Sequence, residues 1–263
     1  MPQRSGSGPR SALQAWPEIR ERLRANRRWA VFLDFDGTLV KLQSRPDDVS
    51  VPLGVKRVLQ RLARNANVLV AIVSGRRLQN LRGLVGVESV RYFGLHGGEQ
   101  EGETASVSPE SALALEDAKQ AAHRDLGAMP GIWIEDKGLA FSVHHRDANA
   151  SESKSAGAAL AGLLAPWEKS LHVLHGSRVW EVLPKEIPGK GAAVEQILSG
   201  FPADTAVMYA GDDGTDEPAF AVLESQVTIR VGATRNTRTR ARYCLPGPPY
   251  VMRFLERMER ELR

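Results

Sequence analysis

The chain has 263 residues, 42% hydrophobic and 25% charged, the balance of a globular protein with a packed core rather than a disordered or fibrous one. No apolar run approaches the roughly 20 residues of a membrane span, the basic amino end leads into no apolar secretory signal, and the single cysteine, Cys244, excludes an intrachain disulfide and fits a packing role in a reducing cytoplasm. The net charge of +4 belongs to residues 1–28, where seven arginines and two glutamates give +5, so the rest of the chain is near neutral.

Residues 1–12 are rich in Gly, Ser and Arg and read as disordered. Leu13, Trp16, Ile19 and Leu23 recur at helical spacing, which predicts a short helix over 13–26. From Trp29 continuous apolar runs alternate with helical stretches: strand 30–33, helix 55–62, strand 68–73, helix 78–84, strand 90–95. The alternation resumes with helix 192–198, strand 205–210, helix 217–223 and strand 227–231. Short apolar runs without polar alternation indicate strands covered on both faces, so these segments predict a parallel sheet layered by helices.

The middle of the chain has a different grammar. Ser108-Pro109 offers an N-cap and a first-turn proline for a helix to about residue 126. Two β pairs follow, 131–135 with 139–145 and 171–175 with 178–183, separated by an alanine-rich helix over 148–164. The predicted organisation is a basic segment 1–28, an α/β core of 29–107 and 185–263, and an inserted α+β module of 108–184. The last basic run, Arg235, Arg238, Arg240 and Arg242, has no interleaved aromatics and argues for a solvated face rather than a nucleic-acid partner.

Three core strands run into reactive polar groups. Strand 30–33 leads to Asp34 and Asp36 in Asp34-Phe35-Asp36-Gly37-Thr38; strand 68–73 leads to Ser74-Gly75-Arg76; strand 205–210 leads to Gly211-Asp212-Asp213-Gly214-Thr215-Asp216-Glu217. Lys190, in Pro188-Gly189-Lys190-Gly191, opens a helix at a position suited to anions. Ligands of open α/β sheets bind beyond the carboxyl ends of the strands, so these segments should meet. Together they suit hydrolysis of a phosphate monoester. Asp34 attacks phosphorus and splits one hard step into two, and Asp36 serves as acid and then base. Ser74 and Lys190 cradle the phosphoryl group. So many carboxylates around an anion call for a cation, and Mg²⁺ on Asp34, Asp212 and the Asp36 carbonyl fits, with Asp213 and Asp216 in supporting positions. The competing structural reading is an acidic turn at 34–36 and a solvated acidic loop at 212–217.

As a set, DFDGT, the VSG serine, the isolated lysine and GDDGTDE resemble the four signatures of the haloacid dehalogenase (HAD) superfamily of phosphohydrolases. The insert between serine and lysine resembles the larger, C2-type cap of that superfamily. Closer still, VSGR (73–76), GLHGGE (94–99), IEDKGLAFSVHHR (134–146), WEVLPK (180–185) and GDDGTDE (211–217) are similar to the trehalose-6-phosphate phosphatases. That resemblance implies hydrolysis of trehalose 6-phosphate in trehalose biosynthesis, with sugar hydroxyls contacted by Glu135, Lys137 and Glu181. Arg76, His96 and Arg146 are further substrate candidates. A salt bridge between Glu181 and Lys137 is the structural alternative, and His96 is equally readable as a side chain bonded to backbone. His144, His145, His172 and His175 read as surface residues. Other capped sugar phosphatases, for sucrose 6-phosphate or mannosyl-3-phosphoglycerate, a phosphohexomutase using the same nucleophile, and a noncatalytic sugar-phosphate sensor stay open as alternatives. The expected partner is a small sugar phosphate, with no nucleic acid and no membrane. The arginine-rich amino end keeps two readings, solvated disorder and contact with the trehalose-phosphate synthase. Hinges near 107–109 and 184–188 would let the cap close.

Overall fold

A computed structural model describes residues 8–43, 45–187, 189–234 and 236–263. The predicted disorder of residues 1–7, and the positions Pro188 and Arg235 singled out above, lie outside them. In chain order the elements are β1 (Arg10–Ser11), α1 (Trp16–Ala25), β2 (Trp29–Leu33), α2 (Leu53–Ala63), β3 (Val68–Val73), α3 (Leu78–Val85), β4 (Arg91–Gly94), β5 (Glu99–Gln100), β6 (Glu103–Thr104), α4 (Pro109–Leu126), β7 (Trp133–Asp136), β8 (Phe141–His144), α5 (Ala150–Leu164), β9 (Leu171–Gly176), β10 (Val179–Pro184), α6 (Lys190–Ser199), β11 (Ala206–Gly211), α7 (Glu217–Val222), β12 (Val227–Val231), β13 (Tyr243–Leu245) and α8 (Pro248–Glu261).

The main sheet has the order β1-β13-β12-β11-β2-β3-β4-β5-β6, parallel from β1 to β4 and antiparallel at β5 and β6. β2 sits at its centre, with all five residues buried. Its alternate residues feed two layers, as a period of two requires. Val31 and Leu33 pack with Ile19, Leu59, Leu81 and Phe254, from α1, α2, α3 and α8. Ala30 and Phe32 pack with Val194 and Phe220, from α6 and α7. That two-sided burial is why the sequence shows an unbroken apolar run.

The second sheet, β7-β8-β10-β9, is antiparallel throughout. One face is covered by α4 and α5, through Leu115, Ala118, Ala122, Ala156 and Leu160 against Phe141, Val143 and Val182. Ser108 caps α4 by accepting from the Ser111 amide (3.1 Å), and Asn149 and Glu152 form a capping box on α5. The other face turns toward the carboxyl ends of the main sheet's strands.

Three features differ from the sequence reading. Arg10–Ser11 is not disordered but adds a parallel strand beside Tyr243–Cys244. α8, with Val251, Phe254, Leu255 and Met258 at helical spacing, closes one face of the core and was not anticipated. β5 and β6 extend the sheet past strand 90–95, where the sequence reading places no element. Among the described residues no helix is long and apolar enough to cross a membrane.

Candidate active site

The site lies where β2, β3 and β11 end. Asp34 follows β2 directly, and its amide donates to the Ala210 carbonyl of β11 (2.9 Å), which fixes the backbone under the carboxylate. The chain then doubles back: Gly37 N donates to the Val40 carbonyl (2.8 Å) and Leu39 N to that of Phe35 (2.9 Å). Gly37 has φ +82°, and a Cβ there would collide with the Asp212 carboxylate, so the turn needs glycine on both counts.

β11 delivers the acidic loop. Asp213 caps the short 3₁₀ turn Gly214–Asp216, its Oδ1 accepting from the Thr215 amide (2.8 Å) and hydroxyl (2.6 Å), while Asp216 Oδ2 accepts from the Asp213 amide (3.0 Å). Asp216 is fully buried and its Oδ1 takes two donors, Lys190 Nζ and the Tyr209 hydroxyl, both at 2.7 Å. Lys190, first residue of α6, also donates to Asp34 Oδ1 at 2.7 Å. One buried ammonium therefore links the acidic loop to the expected nucleophile.

The charges do not balance. Carboxylate oxygens of Asp34, Asp212 and Asp216 lie within 4.8 Å of one another, and among the described residues only Lys190 opposes them at close range. Burial, with repulsion from Asp216 and Asp213, pushes Asp34 up to about 7 against the pull of Lys190. Burial and repulsion from Asp34, Asp213 and Asp216 push Asp212 up to about 10. Burial opposes ionisation of Asp216 too, but Lys190, the Asp213 amide and Tyr209 outweigh it and hold Asp216 below its usual value. Three crowded carboxylates with an excess of negative charge form the donor set of a hard divalent cation, and a cation there would return Asp34 and Asp212 to their ionised forms.

Beyond β3, Ser74 is buried and its hydroxyl accepts from the Arg76 amide (3.2 Å). Arg76 grips Asp36 with a two-pronged fork, Nε to Oδ2 at 2.6 Å and Nη2 to Oδ1 at 2.9 Å, and reaches Asn80 with Nη1 (2.9 Å). Arg76 thus orients the expected acid–base carboxylate in this arrangement rather than standing free for a ligand. His96 is buried with φ +57°, in a left-handed stretch shared with Leu95. Its Nε2 is hydrogen-bonded to Glu181, and its Nδ1 has no partner among the described residues.

The inserted module supplies the roof. Lys137 is buried, pairs with Glu181 and donates to the Gly75 carbonyl (3.0 Å). Glu181 also accepts from the Ser142 hydroxyl (3.1 Å). Burial alone would raise Glu181, but His96 and Lys137 hold it well below the usual carboxylate range. Burial likewise opposes the charge on Lys137, and Glu181 and Glu135 outweigh it and raise that ammonium. Glu135 stands 3.9 Å from Lys137 and 2.8 Å from His144 Nε2. Arg146 reaches across to the Gln43 carbonyl and to that of Ser177 (3.2 Å).

The Glu181–Lys137 pair offered as the structural alternative is therefore present, extended to His96 and the Gly75 carbonyl. The expectation of surface histidines is corrected for three of four. His144 stacks on Trp133 (centroids 3.8 Å apart) and His145, buried, stacks on Trp180 (3.9 Å). His172 is half-buried, with Nε2 2.9 Å from the Ile187 carbonyl, and His175 is exposed. Sequence reading missed Tyr209, Asn80, Ser142 and Gln43. Asp34, Asp36, Ser74, Arg76, His96, Glu135, Lys137, Arg146, Glu181, Lys190, Asp212 and Asp213 all line one cavity of about 120 Å³.

A parallel-sheet core with carboxylates at its strand ends, roofed by an inserted antiparallel module, is the fold of solved haloacid dehalogenase-like hydrolases. The sequence model of the family described as trehalose-phosphatase matches residues 32–249, and the chain belongs to that family. A trehalose-phosphate phosphatase of Mycobacterium tuberculosis (strain ATCC 25618 / H37Rv) is 33% identical over 246 residues, covering 89% of this chain and 62% of that protein. The chain thus spans under two thirds of the curated relatives it matches. Among solved structures, the C-terminal domain of a Candida albicans trehalose-6-phosphate phosphatase superposes with a TM-score of 0.82 at 21% identity, covering 97% of this chain and 99% of that one. The C-terminal domain of a Candida albicans trehalose synthase regulatory protein gives 0.72 at 14% identity, covering 97% and 100%.

Proposed function

We propose that this chain hydrolyses trehalose 6-phosphate to trehalose and phosphate through a phosphoryl-enzyme formed on Asp34. The observation that carries the reading is the Lys190 ammonium shared between Asp34 and Asp216, with the Arg76-held Asp36 two residues from the nucleophile. In the first step an Asp34 oxygen bonds to phosphorus as the bond to the sugar oxygen breaks, and Asp36 gives that oxygen its proton. In the second, Asp36 takes a proton from water as the water oxygen displaces Asp34 and releases phosphate. Lys190 and the Ser74 hydroxyl hold phosphoryl oxygens and counter the charge that develops on them. Asp34, Asp212 and the Asp36 carbonyl would hold a divalent cation, for which we infer Mg²⁺; when bound it neutralises the carboxylates and the phosphoryl group. Asp36 can deliver its proton only after the Arg76 fork loosens.

The cap, which we take as residues 108–184, gives the substrate class. Glu135, Lys137 and Glu181 are charged, directional partners for vicinal hydroxyls. In the docked arrangement Lys137 and Glu181 satisfy one another, so sugar binding exchanges their mutual contacts for hydroxyl contacts. The cavity of about 120 Å³ falls short of the roughly 300 Å³ at which ligand pockets begin, so a disaccharide phosphate enters with the cap raised.

Phosphate release from a panel of sugar phosphates, with and without Mg²⁺, tests this. Turnover on trehalose 6-phosphate is expected, with a loss of about 10³-fold or more in Asp34→Asn. Turnover on sucrose 6-phosphate alone would overturn the substrate, and full activity in Asp34→Asn would overturn the mechanism. The likeness in fold to a regulatory protein supports a second reading, a sugar-phosphate sensor. Tight binding without turnover of any ester would favour it.

A further inference from the structure

One core loop grips a turn of the cap directly, and a cap arginine ties the same turn to a second core loop. The turn Ser177-Arg178 joins β9, which ends at Gly176, to β10. The Ser177 amide donates to Asp213 Oδ2 at 2.9 Å. The Ser177 carbonyl accepts from Arg146, whose other nitrogen holds the Gln43 carbonyl just past the nucleophile turn. The fit allows no side chain: a Cβ on Gly176 would lie 2.8 Å from Asp213 Oδ2, and one on Gly214 would lie 2.7 Å from the His175 carbonyl.

Asp213 is divided between two jobs. Oδ1 caps the turn that carries Asp216 into the carboxylate cluster, and the Asp213 amide bonds Asp216 directly. Oδ2 holds the cap. Rotating this carboxylate to suit one partner moves it away from the other, so the cap's position and the acidic loop's shape are not independent. We propose that Asp213 is a positioning residue that couples cap docking to cation binding: the docked Ser177 amide fixes the Asp213 rotamer that caps the loop, and the loop so capped presents Asp212 in the form a cation takes, with Asp216 held behind it by Lys190 and Tyr209. Coupling of this kind is reciprocal, so a cation must in turn favour the docked cap. The cap then closes more readily over a loaded site than over one that cannot yet react.

The test uses the full chain and Mg²⁺ alone, without any phosphate ester, so it stands apart from the identity of the substrate. A chain that shows the coupling yet hydrolyses no sugar phosphate would refute the proposed function and leave this proposal intact. Gly176→Val places methyl groups in the space of Asp213 Oδ2 from a cap residue outside the carboxylate cluster. Calorimetric titration is expected to show Mg²⁺ binding weakened about five- to tenfold. In the unaltered chain, Mg²⁺ should slow hydrogen exchange of the Ser177 amide by a similar factor, and Asp213→Asn should abolish that response. Unchanged Mg²⁺ affinity in Gly176→Val, or a Ser177 amide indifferent to Mg²⁺, would overturn the proposal, as would failure of the chain to bind Mg²⁺. Should Gly176→Val not fold, exchange in the unaltered chain decides alone.

Discussion

Two buried ionic clusters face each other across the cavity, and they are built on opposite principles. The lower one, Asp34, Asp212 and Asp216 around Lys190, has more negative than positive charge, and burial and mutual repulsion raise two of its carboxylates. The upper one, Glu181 between Lys137 and His96, is matched, and its carboxylate is held well below the ordinary range although it too is buried. Burial penalises charge in both places. What separates them is whether the protein supplies the counter-charge itself or leaves it to a bound ion. The lower cluster lacks counter-charge of its own; the upper one is complete as it stands.

The sharpest way to break this contrast is to remove the negative charge from each side. Glu181→Gln leaves Lys137 buried with Glu135 as its remaining nearby carboxylate, and is expected to cost about 3 kcal/mol in denaturant unfolding. Little or no loss would mean that the upper cluster is not a stability element. Asp212→Asn should act in the other direction. With Mg²⁺ chelated it relieves repulsion and raises Tm by about 2–4 °C, and it removes the further rise that Mg²⁺ gives the unaltered chain. A lower Tm in chelator would show that the lower cluster is not strained by its charge.

The smallest effect is the most specific to the upper pair. Glu181 is depressed in the folded state, so its contribution is fully present above the unfolded value near 4.5 and fades as pH falls through the lower native value. Lys137 is raised, so its contribution is fully present below the unfolded value near 10.5 and fades as pH rises through the higher native value. The stability difference between the unaltered chain and Glu181→Gln should therefore shrink as pH falls below about 5 and as it rises above about 10. A difference that keeps its size at both extremes, read from unfolding curves at several pH values, would show that another group governs the cluster.

The lower cluster was readable from sequence because Asp34 and Asp212 each follow an apolar strand directly, with Asp216 in the same acidic loop and Lys190 at a helix start. A run such as Ala30–Leu33 announces both the strand and the place where it stops, and the fold puts all such places on one edge. Tyr209 escaped for the complementary reason. It lies inside a strand, where an aromatic reads as core, and only its hydroxyl tip reaches Asp216. The upper cluster was legible as a set of residues but not as a set of contacts. His96 and Glu181 are 85 residues apart, and Lys137 and the Gly75 carbonyl are 62 apart. No local period records how an inserted module docks. His144 and His145 were misread because tryptophans on other strands, Trp133 and Trp180, cover their rings. α8 carried an ordinary helical pattern and went unremarked beside the arginines.

The smallness of the chamber has a kinetic meaning. If the substrate is the disaccharide phosphate proposed above, a space of about 120 Å³ does not hold it while the roof is down. Each turnover then contains two openings, and the contacts that hold the roof, Lys137 to the Gly75 carbonyl and Ser177 to Asp213, become a timer as well as a seal. Strengthening them would lengthen product residence and slow the cycle even with faultless chemistry beneath.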